Sequence, residues 1–220
     1  MRLFRRIRQV NWKYIVGEVL LIFVGINLAI WFNNWNTAKS IRHNKALALT
    51  QIEEEISNNL NELGTARENN DLILAAFHAY EAYYASTSSE LVATPAERQQ
   101  LEGRFPDFFR VADSSALEDG RFQYQGETFI NFEIAELTEI AWMTTQSMNI
   151  AGAFDYPCLY ELESMYSLQR RVRQQIDLVT DVIQGRADRS LINALSVLGQ
   201  LDEQLENNYH STLESLANCR

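Results

Sequence analysis

The sequence lacks every short pattern that usually announces site chemistry. It has no His-Glu-x-x-His, no Cys-x-x-Cys, no Gly-x-Ser-x-Gly and no glycine-rich loop of the kind that cradles phosphate. Its three histidines, His43, His78 and His210, stand far apart without metal-ligand spacing. No catalytic residue, metal or cofactor is therefore expected. Carboxylates are plentiful, but at this density they are the ordinary surface of helices, and the triple "EEE" at 53–55 reads as a solvated face. Basic residues are scarce after the start. The first 36 residues hold five basic side chains against Glu18, whereas the rest hold 14 basic and 28 acidic, giving the formal net charge of −10. An acidic body of this kind excludes a nucleic-acid-binding role, which needs a basic face. There are two cysteines, Cys158 and Cys219. In an oxidising compartment they could pair and tie the end of the chain to the start of a helical hairpin; the alternative is two free thiols.

A second long apolar run is also missing, and this throws weight on the first. Tyr14 to Phe32 is a stretch of 19 residues in which Glu18 is the only charge. As a helix it would cover about 28 Å, close to the thickness of a bilayer's hydrocarbon core. Trp12 flanks one end, and Trp31 and Trp35 the other, as aromatic residues do at membrane interfaces. The arginine cluster lies wholly before the run, which predicts a cytoplasmic N-terminus and a body on the far side of a bacterial inner membrane, in the periplasm. A cleaved signal peptide would end in small residues, whereas this run ends in the bulky "AIWFNNWN". In "MRLFRRIRQV", Leu3, Phe4, Ile7 and Val10 share one helical face and the arginines the other, suiting a short helix on the inner membrane surface.

Two polar residues inside the run require an account. At about 100° per residue, Gly25 and Ala29 fall within about 20° of Glu18, while Asn27 lies on the opposite side. Gly25 and Ala29 form a small-xxx-small pair that lets helices approach closely, and a mid-membrane amide favours a hydrogen-bonding neighbour. The expectation is a helix packed on two faces within an assembly. For Glu18, contact with headgroups or Lys13 is the open alternative.

These residues carry a resemblance. The basic start, the Gly17-Glu18 opening of the apolar run, Gly25, and the closing Asn33-Asn34-Trp35-Asn36 resemble an uncharacterised domain-of-unknown-function family of bacterial single-pass membrane proteins. The likeness covers roughly residues 1–60 and is diffuse afterwards. Thr37 and Ala38 stand where that family has an acidic residue. The resemblance implies the topology and no activity.

The body reads as helices. Between Phe32 and Ala85 only Gly64 interrupts helical character, and Leu49, Ile52, Ile56, Leu63, Ala66, Ile73, Phe77, Tyr80 and Tyr84 form a seam broken by Asn59 and Asn70. Thr94, Pro95 and Glu97 form a capping box that opens a short helix. Residues 103–132 scatter Phe105, Phe108, Phe109, Phe122, Tyr124, Phe129 and Phe132 among turn residues. They read as an irregular cap on the bundle, or alternatively as a ligand or partner surface. A helix is expected from Glu133 to Gln146, with Ile134, Leu137, Ile140 and Ala141 inward. Pro157 opens the next helix and Gly185 stops it. A last stripe runs from Leu191 to Leu216, making an antiparallel pair.

The expected fold is all-α: a transmembrane helix continuing into a long stalk helix, with an extracytoplasmic antiparallel helical bundle. The divisions are a cytoplasmic basic amphipathic segment 1–13, a transmembrane helix 14–32, a stalk helix 33–85, an irregular aromatic-rich segment 86–132 and a bundle 133–220. The expected function is a non-enzymatic membrane scaffold or accessory subunit, partnered by the membrane and by its own copies or a larger membrane complex. The alternatives are a periplasmic sensor or solute-binding module that signals through a membrane partner, and a hydrolase whose site carries no recognisable motif.

Overall fold

The computed structural model describes residues 12–85, 89–188 and 190–219. Most of the basic segment 1–13, including its expected surface helix, lies outside the described residues. The first element, α1 (Trp12–Tyr80), is one uninterrupted helix of 69 residues. No proline occurs in it, and Gly64 has open space where a side chain would stand. Its 18-residue apolar window has a mean hydropathy of 2.3 with none of it buried. Among the described residues it is the one helix long and apolar enough, by length and composition, to cross a membrane. Residues 12–44 are exposed on every side, and the buried stripe starts at Ala48. Of the segment expected to be a stalk, only 33–44 therefore stands clear. The seam from Leu49 to Tyr80 belongs to the bundle's own core.

Two further long helices complete that core. Helix α4 (Tyr156–Ile183) is opened by Asp155, whose side chain accepts from the Cys158 N–H, with Pro157 in the first turn. It stops at Gly185, whose φ of +68° is a conformation that residues with a Cβ avoid. Helix α5 (Leu191–Leu216), capped by Ser190, returns antiparallel and packs on both α1 and α4. Leu162, Met165, Val172 and Val179 of α4 meet Leu195, Leu198, Leu205 and Tyr209 of α5, all buried. The Cys158–Cys219 disulfide, with Cα atoms 5.6 Å apart, joins the start of α4 to the end of α5.

The fourth wall of the bundle is an extended chain and not a helix. Residues 129–139 run without regular secondary structure between α1 and α4 and lead into the short α3 (Ile140–Ser147). Two buried asparagines of α1 hold them. Asn59 accepts from the Thr138 N–H at 2.9 Å and donates to its carbonyl at 2.7 Å. Asn70 does the same with Glu133, at 3.0 and 2.8 Å. The spacing fits both geometries. Eleven helical residues rise about 16 Å, and five extended residues span about the same. Gln169 of α4 donates to the same Thr138 carbonyl from the other side, at 2.8 Å.

The expectation of an all-α fold is thus corrected. The helix expected over 133–146 is extended up to Glu139, and Ile134 and Ile140, expected inward, are exposed. The segment expected to be irregular over 86–132 contains a three-stranded antiparallel sheet. Strands β1 (Glu90–Ala93), β2 (Phe109–Ala116) and β3 (Phe122–Thr128) lie in the order β1-β3-β2. Helix α2 (Pro95–Arg104), started by the Thr94–Glu97 capping box, connects β1 to β2. A bulge between Val111 and Asp113 bends β2 over β3. The sheet caps the top of the bundle: Phe108 packs edge-on to Phe77, and Tyr80 lies against both Phe108 and Phe109.

Candidate interaction surfaces

All the membrane-segment residues singled out from sequence lie on the free part of α1. Glu18, Gly25, Ala29 and Asn27 are exposed, as are Trp12, Trp31 and Trp35. A Cβ added at Gly25 would meet nothing within 4 Å, so that face is open in the monomer. Glu18 makes no ion pair among the described residues, whereas Asn27 donates to the Phe23 carbonyl one turn back at 2.7 Å. The helix itself therefore meets part of the amide's need, leaving its carbonyl oxygen for a neighbour. Trp35 lies tilted against Phe32 and carries Lys39 over its ring at 5.7 Å, an aromatic–basic girdle just beyond the apolar run.

Above this girdle the bundle opens a groove of about 420 Å³ between α1 and α3. Leu47, Ala48, Ile140, Ala141, Met148 and Ile150 give it an apolar lining, with Gln51, Glu54 and Asn58 along the α1 edge. Leu47 is 56% exposed, Ile140 69% and Met148 62%, so three large apolar side chains face open space together. Position on the helix connects this groove to the apolar run. At about 100° per residue, Leu47, Gln51, Glu54 and Asn58 fall within about 60° of the stripe holding Glu18, Gly25 and Ala29. One side of one continuous helix thus carries the small-residue face and then the groove.

The groove's inner wall is held by a polar cluster that sequence reasoning misplaced. Glu55, expected on a solvated face, is buried. It accepts from Tyr166 Oη at 2.7 Å and from the Ala141 N–H at 2.9 Å. Helix α3 has no cap from its own N-cap residue, Glu139, so Glu55 supplies that acceptor from another helix. Burial, followed by the bond to Glu55, pushes the Tyr166 hydroxyl far above its usual range. Tyr209 donates to Gln169 at 2.9 Å, and burial raises it as well. No titration of either phenol is therefore expected in the physiological range. The heptad positions of Glu55, Asn59 and Gln169 were the available signal: each interrupts an apolar stripe on the inward face.

Two buried polar atoms among the described residues lack a partner, Trp142 Nε1 and Asp202 Oδ1, and of these only Asp202 can carry charge. It is buried on α5 where α5 faces α1, and its Oδ1 has no hydrogen-bond partner. Burial pushes its carboxyl up to about 7, with Arg67 opposing the rise and Asp71 adding to it. Arg67 is itself held by Glu206.

A second cleft, of about 350 Å³, lies at the opposite end of the bundle between α1 and the turn joining α2 to β2. It is floored by Leu72, Ala76, Phe105 and Phe108 and edged by Arg104, Arg110, Asp107 and Phe129. As for metals, Asp155, Cys158 and Cys219 bring three potential ligand atoms together, but the two sulfurs are bonded to each other and Asp155 caps α4.

Comparison with protein-family models, with curated proteins and with solved structures finds no match to this chain.

Proposed function

We propose that this chain is a non-enzymatic, single-pass membrane scaffold or accessory subunit that assembles through its membrane helix and the bundle floor above it. The observation that carries this reading is the shared side of α1. A partner helix packed on Gly25 and Ala29 in the bilayer would rise directly into the groove at Leu47, Ile140 and Met148. Apolar groups left open at that position are the expected mark of a contact surface. The arginines ahead of the apolar run favour an N-terminus in the cytoplasm of a bacterial cell and a body in the periplasm. The Cys158–Cys219 bond suits that oxidising compartment.

The test is the mass of the complex extracted gently from its native membrane, with every co-purifying chain identified. A homo-oligomer or a stoichiometric membrane partner is the expected result, and a monodisperse monomer would sink the proposal. Gly25→Leu and Asn27→Leu should each shift the assembly towards monomer, whereas Glu18→Gln should leave insertion intact. Size-exclusion light scattering reads the first effect and membrane fractionation the second. Unchanged oligomer size in both helix variants removes the two-face idea.

A further inference from the structure

The upper cleft has a chemistry of its own, independent of assembly. Its floor is apolar, from Leu72 and Ala76 of α1 and from Phe105 and Phe108 at the α2–β2 turn. Two guanidinium groups stand at its edge. Arg110 lies over the Phe129 ring at 3.9 Å, and Arg104 over Phe105 at 5.1 Å. Stacking on an aromatic face fixes a guanidinium's plane without using its N–H groups. Neither arginine forms an ion pair among the described residues. The other arginines of this end are engaged, Arg98 with Glu102 and Arg121 with Asp119. Glu127 sits opposite Arg110 in the β2–β3 register, yet the two do not close an ion pair. In a chain with a net charge of −10, two held but unpaired guanidiniums beside an apolar trough form a distinct feature.

We propose that this cleft binds a small soluble molecule joining one carboxylate to an apolar body. The volume is at the lower end of the range for small-molecule sites, and the apolar floor with a few directed polar groups is their usual composition. A guanidinium matches a carboxylate through two parallel N–H donors. Asp107, also on the edge, sets the charge limit: one negative charge is tolerated beside it, and a dianionic phosphate is repelled. The acidic body repels polyanions in the same way. Distance decides between lipid and solute. Leu72 lies forty residues along α1 from Phe32, about 60 Å of helix, so a fatty acid still seated in the bilayer cannot reach the cleft. The occupant comes from solution.

The test uses the full chain in detergent or nanodiscs, titrated calorimetrically with 3-phenylpropionate and with neutral 3-phenylpropanol. The acid should bind one to one and at least about tenfold more tightly than the alcohol, a difference of about 1.4 kcal/mol. Arg110→Gln should bring the acid close to the alcohol's affinity. Arg104→Gln, on the exposed last turn of α2, should weaken it by several fold and keeps the test alive if Arg110→Gln disturbs the sheet. Circular dichroism and melting temperature confirm the fold of each variant. Inorganic phosphate at about 10 mM should not compete. Three results would overturn the proposal: no binding of the acid at about 10 mM, equal affinities for acid and alcohol, or wild-type affinity in the folded arginine variants.

Discussion

Asn59 and Asn70 show how a single side chain can replace a whole hydrogen-bonding strand. Each turns an N–H and the oxygen of its carboxamide, the pair that a peptide group offers, to the main chain of an extended segment. Asn59→Ala removes its bonds to the Thr138 main chain and hydroxyl and leaves Gln169 with one partner fewer. A loss of about 2–4 kcal/mol in urea unfolding is expected, since buried groups left unpaired cost more than the bonds are worth. Asp202 works in the opposite sense. Its carboxyl holds a proton up to a pH of about 7 in the folded chain, whereas an unfolded aspartate releases it near 4. Folding therefore takes up a proton between those values, and stability falls as pH rises through that window. Asp202→Asn should flatten this dependence. It should raise stability at pH 8 by about 2–4 kcal/mol and change little at pH 4, as read from urea midpoints at the two values.

Among the elements, the contrast between α4 and the 129–139 segment explains what could be read from sequence. Asp155, Pro157 and Gly185 mark the ends of α4 by local chemistry, and its apolar stripe repeats over 28 residues, so both limits and inward face were legible. The Thr94–Glu97 capping box was legible for the same reason. The 133–139 stretch has apolar residues at helical spacing too, but its conformation is set by Asn59 and Asn70, more than sixty residues away. No local pattern reports such a partner. Glu55 did carry a signal, its place on the inward stripe of α1, but the acids beside it in sequence masked that, and its partner at the N-terminus of α3 is as distant. The strands were missed because β2, "FRVADSSA", buries only Phe109 and so lacks the alternation that marks a strand. Their close approach is visible at Gly126, where an added Cβ would stand 2.1 Å from the Arg110 carbonyl oxygen. Gly126→Ala must push β2 from β3 and should cost at least about 2 kcal/mol, with the largest loss of amide-exchange protection at 109–111 and 122–128.

For the whole molecule, the disulfide closes the base of the bundle across 61 residues. Chain-entropy arguments value a loop of that size at about 4 kcal/mol, to be compared with urea midpoints of the oxidised protein and the Cys158→Ser/Cys219→Ser variant. A loss of about 2–4 kcal/mol is expected. If the two midpoints coincide, the bond contributes nothing to stability. Helix α1 runs from the apolar run to the sheet without a proline; α3 and α5 pack on it, and the sheet rests on its last turns through Phe108 and Phe109 against Phe77 and Tyr80. If the apolar run lies in lipid, as proposed, α1 is mechanically a lever whose long arm, from Phe32 to Tyr80, is about 72 Å. A tilt of about 5° at the bilayer, of the size that a change in its thickness imposes, would carry the sheet sideways by about 6 Å. With the apolar run anchored as proposed, membrane thickness would therefore help set where the arginine-edged cleft is presented, at a distance from the bilayer itself.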